Sequence, residues 1–302
     1  MSKRRSLSEL GLPTGKKARL HRILHRHGLG NGTAMFLPYD QGLEHGPRDF
    51  FANPAAADPA YIVRLAVEGG FNGVALQVGN AESFFSDVAG EVPLLLKLNG
   101  RTELPPSDAP FSPLNASVRD AVRLGADAVG YTLYVGSSRQ TEDFAQFRTV
   151  REDAQSYGIP IVVWAYPRGS AVAAAGGQDS FYAVDYAART AAELGADIIK
   201  VNFPDPTATA GVTAPYDRTF STEQAVDAVV ASAGRALVVF SGGEKAGDDA
   251  VLTRTQQAMD AGATGVIYGR NIWQRDHDES LHFAERLRDV LSRYPSGPAV
   301  SP

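Results

Sequence analysis

Apolar runs and amphipathic segments alternate along most of this 302-residue chain. One recurring phrase marks the alternation. Gly69-Gly70-Phe71-Asn72-Gly73-Val74, Leu124-Gly125-Ala126-Asp127-Ala128-Val129, Leu194-Gly195-Ala196-Asp197-Ile198-Ile199 and Ala261-Gly262-Ala263-Thr264-Gly265-Val266 each close a helix-like segment at glycine and turn into an apolar run. Glycine accepts the backbone that ends a helix, so glycine followed by an apolar run is a helix-to-strand junction. Repeated junctions imply strands alternating with helices, and so a parallel sheet.

Eight strands are expected. They run from Ala34 to Tyr39, Gly73 to Gln77, Pro93 to Leu98, Ala128 to Thr132, Pro160 to Ala165, Ile198 to Asn202, Leu237 to Phe240 and Gly265 to Tyr268. Helical periodicity fills Pro59 to Glu68, Glu142 to Tyr157, Phe181 to Leu194 and Asp248 to Asp260. Eight βα units in this length predict an α/β fold of the (β/α)8, or TIM barrel, type. An open doubly wound sheet is the competing arrangement, but no Gly-x-Gly-x-x-Gly turn follows the first strand.

The long irregular segments, Asn99 to Asn115, Arg168 to Asp179 and Pro204 to Arg218, all leave strand C-terminal ends. That is the barrel face that carries active sites. Residues 1–33 read as a basic arm or helix under the barrel, 34–291 as the barrel and 292–302 as a flexible tail.

Composition narrows the chemistry. Without cysteine, disulfides, thiolate catalysis and cysteine-ligated metals are excluded. A formal net charge of -5 gives no electrostatic case for nucleic acid. No apolar core follows the basic Met1-Ser2-Lys3-Arg4-Arg5, and no run approaches membrane-spanning length, so a cytoplasmic protein without membrane contact is expected. His21 and His25 have helical spacing without an acidic partner, and His45, His277 and His282 are scattered. Neither a metal nor a cofactor is expected.

Lysine is scarce: Lys3, Lys16, Lys17, Lys97, Lys200 and Lys245 are all there are. Lys200 stands in Ile198-Ile199-Lys200-Val201-Asn202, a run that otherwise reads as a buried strand. A desolvated lysine has a depressed pKa, and its neutral amine can attack a ketone. The competing reading is a lysine paired with a carboxylate.

Other strand ends collect around it. Strand alternation puts Trp164 and Tyr166 on one side and Ala165 on the other. Tyr166 on strand five could then meet Lys200 on strand six, and a cation beside a phenol lowers its pKa for proton transfer. Asp40, the first polar residue after strand one, should point into the mouth, unless it caps an Asx-turn. Glu44 and His45 are weaker candidates. Lys97, ending strand three, could repel the Lys200 charge or hold a carboxylate. Ser241-Gly242-Gly243 and Gly269-Arg270 end strands seven and eight, where backbone N–H groups and an arginine fork suit a phosphate.

These residues resemble class I fructose-bisphosphate aldolases of the archaeal and bacterial type. The motifs are Asp40-Gln41-Gly42-x-Glu44-His45-Gly46, Ser112-Pro113-Leu114-Asn115, Trp164-x-Tyr166-Pro167-Arg168-Gly169, Ile198-Ile199-Lys200, Ser241-Gly242-Gly243 and Gly269-Arg270-Asn271. The resemblance spans roughly Met35 to Gln274. It implies an imine on Lys200, acid/base work by Tyr166 and assistance from Asp40. Trp164 would line the pocket, and Ser241, Gly242, Gly243, Gly269 and Arg270 would hold a phosphate of a phosphorylated sugar; Lys97 is counted among the substrate-binding residues from its place at the end of strand three. It also implies a homo-oligomer, often a decamer. The Pro/Thr/Ala-rich loop after Lys200 and Glu244-Lys245 depart from the pattern near the mouth. Relatives using the same lysine include a synthase of aminated deoxysugars and a thiolase acting on phosphorylated signalling molecules.

Overall fold

The computed structural model describes residues 4–106, 108–243 and 245–296. Lys3, Glu244 and the last part of the expected tail, 297–302, lie outside them. Eight strands close a barrel: β1 (Ala34–Tyr39), β2 (Gly73–Gln77), β3 (Leu94–Lys97), β4 (Ala128–Val135), β5 (Ile161–Pro167), β6 (Ile198–Val201), β7 (Leu237–Ser241) and β8 (Gly265–Ile267). Every neighbouring pair is parallel, including β1 with β8. The helices are α1 (Thr14–His25), α2 (Gln41–His45), α3 (Pro59–Glu68), α4 (Val78–Phe84), α5 (Val118–Arg123), α6 (Gln140–Tyr157), α7 (Ser170–Ala173), α8 (Phe181–Leu194), α9 (Thr222–Ser232), α10 (Asp248–Asp260), α11 (Arg270–Trp273) and α12 (His277–Ser292). No helix among the described residues is long and apolar enough to cross a membrane.

Strand alternation divides the core in two. Phe36, Ala75, Leu95, Ala128, Val162, Ile198, Leu237 and Ile267 fill the barrel interior, while Val163, Ala165, Ile199, Val201 and Phe240 face the helices. Such packing makes the interior a solid support, not a pore. Leu20, Ile23 and Leu24 of α1 join the interior cluster, so the N-terminal helix seals the bottom of the barrel. Asn72 fixes it there, donating from Nδ2 to Ile23 O at 2.8 Å and accepting from Met35 N at 2.8 Å. Lys16 Nζ donates to Asp197 Oδ2 at 2.7 Å below β6. Closure between β1 and β8 requires glycine at 265, where a Cβ would lie 1.8 Å from Ala34 O.

β4 and β5 run past the expected ends at Thr132 and Ala165. The ladder continues through Leu133↔Ala165, Tyr134↔Tyr166 and Val135↔Pro167, since aromatic and branched residues suit a paired strand. The extension carries two tyrosines to the rim. At the other end of the chain, Ser296 N donates to Asn31 O at 2.8 Å.

Candidate active site

The C-terminal ends of the strands open into a cavity of about 540 Å³. Lys200 projects into it from β6 and is 5% exposed. Burial pushes its ammonium down to about 8. Asp40 and Glu44 pull against that shift, while Lys97 and Arg270 reinforce it. At neutral pH about a tenth of such an amine is unprotonated and able to attack a carbonyl.

β5 lies beside β6 with Trp164 opposite Lys200, and two residues on, the Lys200 ammonium donates a short hydrogen bond to the Tyr166 hydroxyl. The expected contact is present, but its expected effect on the phenol is reversed. Burial and the Glu44 and Asp40 carboxylates raise the Tyr166 pKa well above the ordinary phenol value, and Arg168 offsets only part of this. Tyr166 is therefore a protonated phenol at neutral pH.

Asp40 directly follows β1 and is buried at the cavity wall, where it makes no side-chain capping bond to α2. Lys97 Nζ lies 3.7 Å from Asp40 Oδ2 and donates to Thr132 Oγ1 at 2.7 Å and Asn99 O at 2.9 Å. Lys97 thus stands beside the Asp40 carboxylate, and its charge works against the Lys200 ammonium. Burial lowers its own pKa, against the pull of Asp40 and Glu44. The indole N–H of Trp164 and Oε1 of Gln41 are buried with no hydrogen-bond partner among the described residues. Both residues line the cavity. A buried polar atom without a partner is uncommon, and these two suit bonds to a bound ligand.

Ser241, Gly242, Gly243, Gly269 and Arg270 line the side of the cavity formed by β7 and β8. A Cβ on Gly242 would lie 2.6 Å from Asn271 Nδ2, and one on Gly269 would lie 2.7 Å from Gln41 Nε2. The Ser241 hydroxyl donates to Asn202 Oδ1 at 2.6 Å, and Asn202 Nδ2 donates to Asp179 Oδ1 at 2.7 Å. The carboxylate accepts only, so it fixes the Asn202 amide and with it the Ser241 hydroxyl.

Further cavity residues were not singled out as site residues from sequence. Tyr134, Arg101, Arg168 and Asn202 all line it. Glu44 and His45, the weaker candidates, line it as well. Glu44 Oε1 accepts from the Tyr134 hydroxyl at 3.1 Å, and His45 Nδ1 meets Asp49 Oδ2 at 2.6 Å. The signal for Tyr134 was its parity with Thr132 on one strand. It stayed hidden because the expected strand stopped at Thr132.

A buried, partly neutral amine at the C-terminal mouth of a (β/α)8 barrel defines a carbonyl-attacking site. Residues 34–275 match the DeoC/LacD family aldolases, and the chain belongs to that family. It is 42% identical over 262 residues to the class 1 fructose-bisphosphate aldolase of Thermoproteus tenax, covering 86% of this chain and 90% of that protein. It is 40% identical over 261 residues to the class 1 fructose-bisphosphate aldolase of Halobacterium salinarum, covering 86% and 91%. Among solved structures, an archaeal fructose-1,6-bisphosphate aldolase with its catalytic lysine bound to the carbinolamine intermediate superposes with a TM-score of 0.77. It is 39% identical, with 90% of this chain and 98% of that chain covered.

Proposed function

We propose that this chain is a class I aldolase that reversibly cleaves fructose 1,6-bisphosphate to dihydroxyacetone phosphate and glyceraldehyde 3-phosphate through an imine on Lys200. The observation that carries the proposal is the buried Lys200, lowered to about 8 and bonded to Tyr166 in a cavity walled by the β7 and β8 glycine loops. In cleavage, neutral Lys200 attacks the C2 ketone, and loss of water leaves a protonated imine. That imine takes up the electron pair of the C3–C4 bond as the C4 hydroxyl loses its proton. Glyceraldehyde 3-phosphate departs, the enamine is reprotonated, and hydrolysis frees dihydroxyacetone phosphate.

Tyr166 exchanges the proton at the reacting hydroxyl, and Asp40 orients that hydroxyl. Trp164 walls the sugar in, and Lys97 keeps Asp40 in place. Gly242, Gly243, Gly269 and Arg270 hold a phosphate, and Ser241, its hydroxyl proton committed to Asn202, borders it through its hydroxyl oxygen. Phosphate binding away from the reacting carbons positions the ketone for attack.

The same proposal takes residues 34–291 as the catalytic unit. It makes the chain a cytoplasmic homo-oligomer, decameric on the family's pattern, working in glycolysis and gluconeogenesis; family resemblance supports these parts. The test is turnover of fructose 1,6-bisphosphate in excess chelator. Undiminished cleavage that is lost in Lys200→Met is expected. Cleavage abolished by chelator, or retained in Lys200→Met, contradicts the proposal.

A further inference from the structure

Tyr166 has its oxygen occupied by the Lys200 ammonium and its pKa raised, so a proton taken from substrate cannot simply rest on it. It must gain one proton while passing its own to another group. The register supplies that group. Tyr134 pairs directly with Tyr166 across β4 and β5, so the two side chains stand side by side on the inner face. The Tyr134 hydroxyl in turn donates to Glu44 Oε1 at 3.1 Å. Tyr134 is 3% exposed, whereas Glu44 is only half-buried on α2 and lines the mouth. Glu44 is held from behind, its backbone O accepting from Glu103 N at 2.9 Å.

We propose that Tyr134 and Glu44 are positioning residues that form a proton relay from Tyr166 to the cavity mouth. The relay rests on the aldolase reading above. As the C3–C4 bond breaks, the C4 hydroxyl proton moves to Tyr166, the Tyr166 proton to Tyr134 and the Tyr134 proton to Glu44. C4–O becomes a carbonyl, and the C3–C4 electron pair passes to the imine. One proton lands on Glu44, which is neutralised. The reverse transfer delivers a proton to C3 of the enamine, so the cycle closes without another acid. In this relay a lone pair of the Tyr134 oxygen takes the Tyr166 proton, and Glu44 Oε1, already bonded to the Tyr134 hydroxyl, takes the next.

The test compares Glu44→Gln and Tyr134→Phe with wild type in three readouts: turnover of fructose 1,6-bisphosphate, exchange of the dihydroxyacetone phosphate carbon-bound proton with deuterated solvent, and borohydride-trapped adduct on Lys200. Turnover and exchange are expected to fall together, each by about a hundredfold. Above about pH 9, where Lys200 is neutral with or without the Glu44 charge, the trapped adduct should keep its wild-type yield and concentration dependence, and Glu44→Asp should recover part of the exchange rate. Turnover within about twofold of wild type in both variants overturns the relay, as does adduct yield falling in step with turnover. Wild type that traps no adduct removes the aldolase reading, and the relay with it.

Discussion

Lys97 and Lys200 face the same indole, with their Nζ atoms 5.2 and 5.3 Å from the Trp164 ring centroid. A π face attracts each cation, but the two charges repel across it. Lys97 has Thr132, Asn99 and Asp40 to stabilise its charge, while Lys200 has a neutral phenol. The arrangement therefore selects Lys200 as the amine that gives up its proton.

That selection sets a pH dependence. Burial lowers the Lys200 ammonium to about 8, and only its neutral form attacks. The rate of adduct formation with dihydroxyacetone phosphate should rise with pH, reach half its limit near pH 8, and level off above about pH 9. Asp40 raises the pKa and Lys97 lowers it. Asp40→Asn should therefore move the midpoint to lower pH, and Lys97→Met should move it to higher pH. Midpoints shifting in the same direction would contradict the assignment.

Tyr166→Phe separates the two halves of the reaction. The amine still attacks and water still leaves, but the proton at the reacting hydroxyl has no acceptor. Trapped adduct should persist, while cleavage falls by about a hundredfold or more. A variant that cleaves at the wild-type rate would show that the wrong acid/base group was chosen.

The barrel was legible because its determinants are local. The glycine junctions marked the starts of β2, β4, β6 and β8, apolar runs marked the other four strands, and Pro59–Glu68, Phe181–Leu194 and Asp248–Asp260 begin and end where the apolar periodicity does. α5, α9 and α12 were not drawn from the sequence, although Ser117, Ser221 and Asp276 cap their first turns. At the site, Lys200, Tyr166, Asp40 and Lys97 could be found from their positions at strand ends. The electrostatic sign at Tyr166 could not. It depends on Glu44, which the short α2 carries back over the mouth, and on burial that no strand pattern measures. Tyr134 was missed for a different reason: the expected strand was ended at the polar Thr132, although Leu133-Tyr134-Val135 continue the apolar run that pairs with β5.

Gly130 lies beneath the indole. A Cβ there would come within 2.7 Å of Trp164 Cζ3 and 3.0 Å of Lys97 Cδ. Gly130→Ala should tilt the ring that both lysines face, at a cost of about 1–3 kcal/mol from overpacking. A folded protein with an altered near-ultraviolet tryptophan signal and about tenfold slower turnover is expected. Unchanged turnover together with an unchanged signal would mean the ring has room to spare.

Lys16 and Asp197 form a buried ion pair whose side chains are 5% and 6% exposed. Asp197 Oδ2 also accepts from Ile161 N at 2.8 Å, tying α1 to the starts of β5 and β6. Lys16→Met leaves that carboxylate buried without its cation and should lower stability by about 3–5 kcal/mol. The double variant Lys16→Met with Asp197→Asn should recover part of the loss. Urea unfolding measures both, and a single variant as stable as wild type would mean the pair does not hold the helix.

The central claim is that Lys200 forms the imine. Borohydride reduction in the presence of dihydroxyacetone phosphate, read by intact mass and peptide mapping, tests it most directly. One reduced adduct on the peptide carrying Lys200 is predicted. An intact protein without adduct that still binds the phosphosugar would contradict it.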